Sequence, residues 1–105
     1  MEPIVELPSI DAARNKAIEW LEDQGAIFDQ NREIVIGRLG AFEGSETGVQ
    51  SSIGTFWRIR LDYDPVKGAH YNAEYDTGAQ RRKHAFAFPS SAEVIARLAR
   101  QRRPR

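Results

Sequence analysis

Between Thr55 and Phe88 the chain alternates apolar and polar residues with the period of two expected of strands that bury one face. Trp57, Ile59, Leu61 and Tyr63 point one way, and Phe56, Arg58, Arg60 and Asp62 point the other. Asp64-Pro65-Val66-Lys67-Gly68 holds the proline and glycine of a reversal. From His70 to Tyr75, the residues Tyr71, Ala73 and Tyr75 alternate with His70, Asn72 and Glu74. Asp76-Thr77-Gly78 opens a second reversal. Lys83 to Phe88 reads as a third strand, with His84, Phe86 and Phe88 opposed to Lys83, Ala85 and Ala87, and Pro89 ends it.

A slip of one residue would turn every side chain to the wrong face, so matching like faces sets the register. In the first hairpin this places Arg58 opposite Glu74, Arg60 opposite Asn72 and Asp62 opposite His70. In the second it places Tyr75 near His84, Ala73 near Phe86 and Tyr71 near Phe88.

Helical spacing appears at both ends. Ile10, Ala13, Ala17, Ile18 and Leu21 form one stripe with Trp20 at its edge. Ser9 is placed to cap this helix, Asp11 lies in its first turn, and Gly25 is placed to stop it. At the other end Ser90 and Glu93 have capping-box spacing ahead of a stripe of Val94, Ile95, Leu98 and Gln101. Residues 1–8, with two prolines, form an extended lead-in, and residues 102–105 a basic tail. Ile34-Val35-Ile36 predicts a short strand or helical turn within Glu33 to Leu39. A loop follows, punctuated by Gly37, Gly40, Gly44 and Gly48. It lacks the GxxxxGK[ST] and GxGxxG patterns of phosphate-cradling loops. The expected architecture is therefore one α+β domain over residues 1–105. It is an antiparallel meander of three to four strands, with an N-terminal and a C-terminal helix packed on one face.

Composition narrows the chemistry. With 41% hydrophobic and 29% charged residues, the 105-residue chain suits a folded domain with one core. Its 15 basic and 15 acidic residues cancel, so net charge gives no argument for nucleic acid or membrane. Basic charge is local instead, in Arg81-Arg82-Lys83 and between Arg97 and Arg105, where the usual role of such runs is solvated surface. The absence of cysteine excludes disulfide scaffolds, thiolate nucleophiles and thiolate zinc sites. No apolar run approaches the ~20 residues of a membrane span. No signal peptide is visible either, so an exported form is expected to travel within a larger protein or through a dedicated machine.

The polar face of the meander collects Arg58, Arg60, Asp62, His70, Asn72, Glu74 and Lys83. An imidazole can move a proton near neutrality, and guanidinium and ammonium groups stabilise charge on phosphate oxygens. The same pattern also fits an ordinary solvated sheet face with cross-strand ion pairs. The two histidines begin different strands and fall at opposite ends of a hairpin, about 15 Å apart at the rise of a strand. His84 falls on the aromatic face, so His70 is the first catalytic candidate and His84 the second. Asp62, His70 and Glu74 offer hard-ligand chemistry, but their spacing does not demand a metal, and none is expected, nor any cofactor.

WRIRLDYDPVKGAHYNAE followed by KHAFAFP resembles the C-terminal toxin domains of bacterial polymorphic toxins, of the Rhs and contact-dependent-inhibition type. Trp57, Arg58, Gly68, His70, Asn72, Lys83, His84, Phe86 and Phe88 carry the resemblance, which extends back to the glycine-punctuated segment from Ile34 to Gly48. It implies a nuclease delivered as part of a larger toxin, acting in the cytoplasm of a target cell and neutralised by a cognate immunity protein. With the polar face, the expectation becomes a metal-independent ribonuclease. His70, His84, Arg58 and Lys83 are its catalytic candidates, and Arg60, Asn72, Glu74 and Lys67 would bind RNA. The alternatives are a non-enzymatic protein-binding module using the same face, and a toxin acting on DNA or nucleotides.

Overall fold

In a computed structural model that describes residues 3–28, 31–38 and 40–104, the chain begins with strand β1 (Ile4–Glu6) and helix α1 (Ile10–Gln24). Strand β2 (Arg32–Ile36), a 3-10 turn at Gly40–Phe42 and strand β3 (Glu46–Ser51) follow. Strands β4 (Phe56–Asp64), β5 (Gly68–Asp76) and β6 (Arg81–Ala87) form the meander, and helix α2 (Ala92–Gln101) completes the fold. The strands make one six-stranded mixed sheet in the order β1-β6-β5-β4-β3-β2, with β1 parallel to β6 and the remaining pairs antiparallel.

The architecture is α+β as the patterning predicts, but the sheet has six strands where three or four are expected. The two extra strands beyond the meander and β2 are held by partners rather than by their own composition. β3 offers one strongly apolar side chain, Val49, and a glycine, and it is a strand because β2 and β4 pair with it on both sides. β1 lies between Pro3 and Pro8 at the sheet edge, where proline costs no ladder bond, and pairs with a strand from the far end of the chain. The lead-in is thus structured from Ile4. Leu39, at the end of the predicted Glu33–Leu39 element, lies outside the described residues.

The β4–β5 register is the one the face-matching argument predicts, including Arg58↔Glu74, Arg60↔Asn72 and Asp62↔His70. The β5–β6 register differs by two residues: Tyr71 faces Phe86, Ala73 faces His84 and Tyr75 faces Arg82. The reason lies in the turn. Gly78 N–H donates to Asp76 Oδ1 (2.8 Å) and Thr77 N–H to Gln80 O (3.1 Å), which closes the reversal early and lets β6 start at Arg81. A shift of two preserves the alternation, so every residue keeps its predicted face.

Trp57, Ile59, Leu61, Tyr71, Ala73 and Phe86 from one sheet face join Ala13, Ala17 and Leu21 of α1 and Ile95, Leu98 and Ala99 of α2 in a single core. Ser9 caps α1 through its side chain (3.1 Å to Ala12 N–H), and Gly25 ends it with a left-handed φ of 117°. In α2 the cap is Ser91, which accepts from Val94 N–H at 3.2 Å, one residue later than the capping-box spacing suggests. Gln101 is exposed, and Ala99 takes its expected place in the buried stripe. Replacing Ser91 by alanine should cost about 1 kcal/mol in urea denaturation. Ser90→Ala should stay within about 0.5 kcal/mol, as surface changes do. The reverse ranking would place the cap at Ser90.

Candidate active site

Across the face turned away from the core, the strand registers arrange the polar residues in rows. One row reads Glu33, Gln50, Arg58, Glu74 and Lys83 from β2 to β6. The next reads Val35, Gly48, Arg60, Asn72 and Ala85, and a third holds Asp62, His70 and Ala87. The first row is crowded and internally paired. The second and third contain Gly48, Ala85 and Ala87, so Arg60, Asn72 and His70 have small neighbours within their rows.

This face is not the solvated surface that alternation alone predicts. His70 is 0% exposed and Glu74 2%, and Ala85 and Ala87 are buried as well. The Arg58 and Arg60 stems lie along the sheet closely enough to bury both Nε atoms, while their side chains keep a quarter to a third of their surface in water.

Glu74 holds the first row together. Its Oε1 accepts from Arg58 Nη2 and its Oε2 from Arg81 Nη2, both at 2.8 Å. Burial opposes ionisation of this carboxyl, but the hydrogen bonds from Arg81 and Arg58 more than offset it and hold the group below the ordinary glutamate range. Both oxygens are therefore engaged within the protein, and the effect of Glu74 is to orient Arg58 rather than to present a free carboxylate. Arg81, which the strand pattern left inside a turn, is the second half of this clamp. The only cue to it was the sign of its charge next to the hairpin acids. Lys83 stands exposed beside Glu74 in the same row.

His70 is set differently. Its Nδ1 lies 2.8 Å from the Gly68 carbonyl oxygen, which can only accept, so Nδ1 carries the proton. Nε2 is then the basic nitrogen of the neutral ring. Among the described residues it is buried without a partner, and so are Arg58 Nε, Arg60 Nε and Asn72 Oδ1. These four atoms belong to neighbouring register positions on β4 and β5. Unpaired buried polar atoms are uncommon in folded proteins, and each costs about 1–3 kcal/mol. Four together on one face mark a place suited to a polar ligand.

Arg60 also sits 3.9 Å from Asp62 Oδ2, a long, half-exposed contact worth less than about 1 kcal/mol. Lys67 lies in the β4–β5 turn, with its backbone N–H donated to Asp64 Oδ1 at 2.6 Å. His84 is not part of this face. Its ring stacks on Phe86 at 4.2 Å and tilts against Trp20 at 5.8 Å, on the core side of the sheet. His70 and His84 are three pairs apart along the hairpin and separated by the sheet itself. Among the described residues, no three histidine, aspartate or glutamate side chains converge on a point suited to a metal ion.

An open groove of about 1050 Å³ runs from these rows towards β2, between walls that include Glu33, Arg38, Gln50, Arg58, Arg60 and Asp62. His70 and Asn72 lie beyond its Arg60 wall. No family model, curated protein or solved structure matches this chain. Its function must be read from the groove and the unpaired atoms beside it. Among the described residues, no helix is long and apolar enough to cross a membrane.

Proposed function

We propose that this is a small nuclease toxin domain: a metal-independent ribonuclease that acts on RNA in a target bacterial cell and is neutralised by a cognate immunity protein. The observation that carries the reading is the set of four unpaired buried atoms. Arg58 Nε and Arg60 Nε are cationic donors, and His70 Nε2 and Asn72 Oδ1 are acceptors. A ribose 2′-hydroxyl beside its phosphate complements such a set, with one O–H to give and anionic oxygens to receive.

In this mechanism His70 Nε2 takes the 2′-hydroxyl proton. The O2′ oxygen attacks phosphorus, the bond to O5′ breaks, and a 2′,3′-cyclic phosphate forms as O5′ recovers a proton from the imidazolium. Arg58 and Arg60 stabilise the charge growing on the phosphate oxygens, Asn72 orients the ribose, and exposed Lys83 strengthens the positive field at the end of the row. Glu74 keeps the Arg58 fork aimed. His70 is fully buried, so this chemistry requires Arg60, held to Asp62 only by a weak contact, to swing aside and open Nε2 to the ribose.

The binding-module alternative draws on the full burial of His70 and the double ion pair of Glu74, both of which suit a rigid docking face. Incubating the purified domain with total RNA in EDTA separates the two. The expected result is cleavage to fragments ending in 2′,3′-cyclic phosphate, with a 2′-deoxy substrate left intact. RNA that stays intact would overturn the ribonuclease.

A further inference from the structure

From the groove wall at the β2–β3 end of the Arg58 row, we infer that the domain carries a base subsite selective for guanine, formed by Glu33 and Gln50. The inference rests on the ribonuclease reading for its ligand class and on separate residues for its content. Gln50 Nε2 donates to Glu33 Oε1 at 2.5 Å, and because the carboxylate can only accept, this contact fixes which end of the amide is nitrogen. Gln50 Oε1 and Glu33 Oε2 remain as two neighbouring acceptors, without a partner among the described residues, on the wall of the groove. Gln50 lies directly opposite Arg58 in the sheet, so the pair sits one strand away from the guanidinium assigned to the phosphate.

Base chemistry then selects the occupant. Two adjacent acceptors require two adjacent N–H donors on one base edge. Guanine presents N1–H beside its 2-amino group. Adenine and cytosine each set one amino group beside a ring acceptor, and uracil sets one N–H between two carbonyls. Only guanine offers two parallel N–H donors from adjacent atoms of one edge, whereas on adenine or cytosine the two acceptors must share one amino group and on uracil one of them faces a carbonyl oxygen. Phe56, half-exposed on the same face of β4, has the Arg58 guanidinium 5.6 Å from its ring centroid and helps to hold Arg58 beside the subsite.

The test uses the four nucleoside 3′-monophosphates, which the enzyme cannot cleave, titrated into the purified domain and followed by amide chemical shifts. Guanosine monophosphate should bind about tenfold more tightly than the other three, the discrimination typical of one bidentate contact. Glu33→Ala and Gln50→Ala, both on the sheet face turned away from the core, should each abolish the preference while leaving the thermal midpoint in place. Equal affinity for all four nucleotides, absence of binding, or a preference that survives both substitutions would overturn the subsite. RNA cleavage without base preference would remove the subsite and leave the ribonuclease standing. Guanine-selective binding without cleavage would do the opposite.

Discussion

His70→Gln should lower RNA cleavage by about 100-fold or more, the usual contribution of a positioned acid–base group, and should relieve growth arrest when the domain is expressed in bacteria. The argument rests on the tautomer. The Gly68 carbonyl claims the Nδ1 proton, so Nε2 is left as a base with no other hydrogen bond to lose. Glutamine fills similar volume and can still donate to Gly68, but it has no nitrogen lone pair able to take a proton. Because His70 is fully buried, the variant's fold needs its own check by near-ultraviolet dichroism and a thermal melt. Activity within about threefold of wild type in a folded variant would remove Nε2 from the mechanism. His84→Gln serves as the internal contrast. With its ring on the core side against Phe86 and Trp20, any effect should appear in stability and leave the chemistry of the folded fraction unchanged.

The largest effect on stability is expected at Glu74. Removing one member of a buried ion pair costs about 3–5 kcal/mol when its partners cannot reach water. Here Arg58 is 25% and Arg81 54% exposed, so both regain some hydration, and Glu74→Ala should cost about 2–3 kcal/mol. For a domain of this size that lowers the melting midpoint by roughly 10–20 °C. The sign of the pH dependence follows from the lowered carboxyl. Its stabilisation is complete above the pKa of an unfolded glutamate, near 4.5, and disappears as pH falls through the lower folded value. Wild-type stability should therefore drop on acidification below about pH 4.5, and Glu74→Gln should flatten that part of the curve. Urea midpoints between pH 7 and pH 3 measure both effects. Coincident wild-type and variant curves would show that the double clamp contributes nothing.

Legibility of this molecule in its sequence followed the range of the forces involved. The meander and its faces were readable because alternation at Trp57, Ile59 and Leu61 and a Pro-Gly turn are local signals. The β4–β5 register followed from them. The β5–β6 register missed by two because the length of the Asp76–Arg81 reversal depends on hydrogen bonds that the Asp76 and Thr77 side chains accept from Gly78 and Gln80 N–H, which apolar patterning does not encode. β1 and β3 were not readable as strands, since each is made by its neighbours. The candidate site was legible in its members and not in its environment. Arg58, Arg60, His70, Asn72, Glu74 and Lys83 do share a face, and His84 does leave it. Their burial, complete at His70 and nearly so at Glu74 with both arginine Nε atoms enclosed, is a tertiary property that no periodicity reveals. Gln50 and Glu33 stayed hidden with the strand that brings them together.

Gly48 gives the β3–β4 pairing beside Arg60 an unusual kind of permanence. A Cβ there would collide with the Ile59 carbonyl oxygen, so β3 can approach β4 only while position 48 stays glycine. The close approach of the two strands beside Arg60 is consequently written in main chain rather than in side chains. Drift at the surrounding positions can change which groups the strands present, while their spacing is inherited through a single codon.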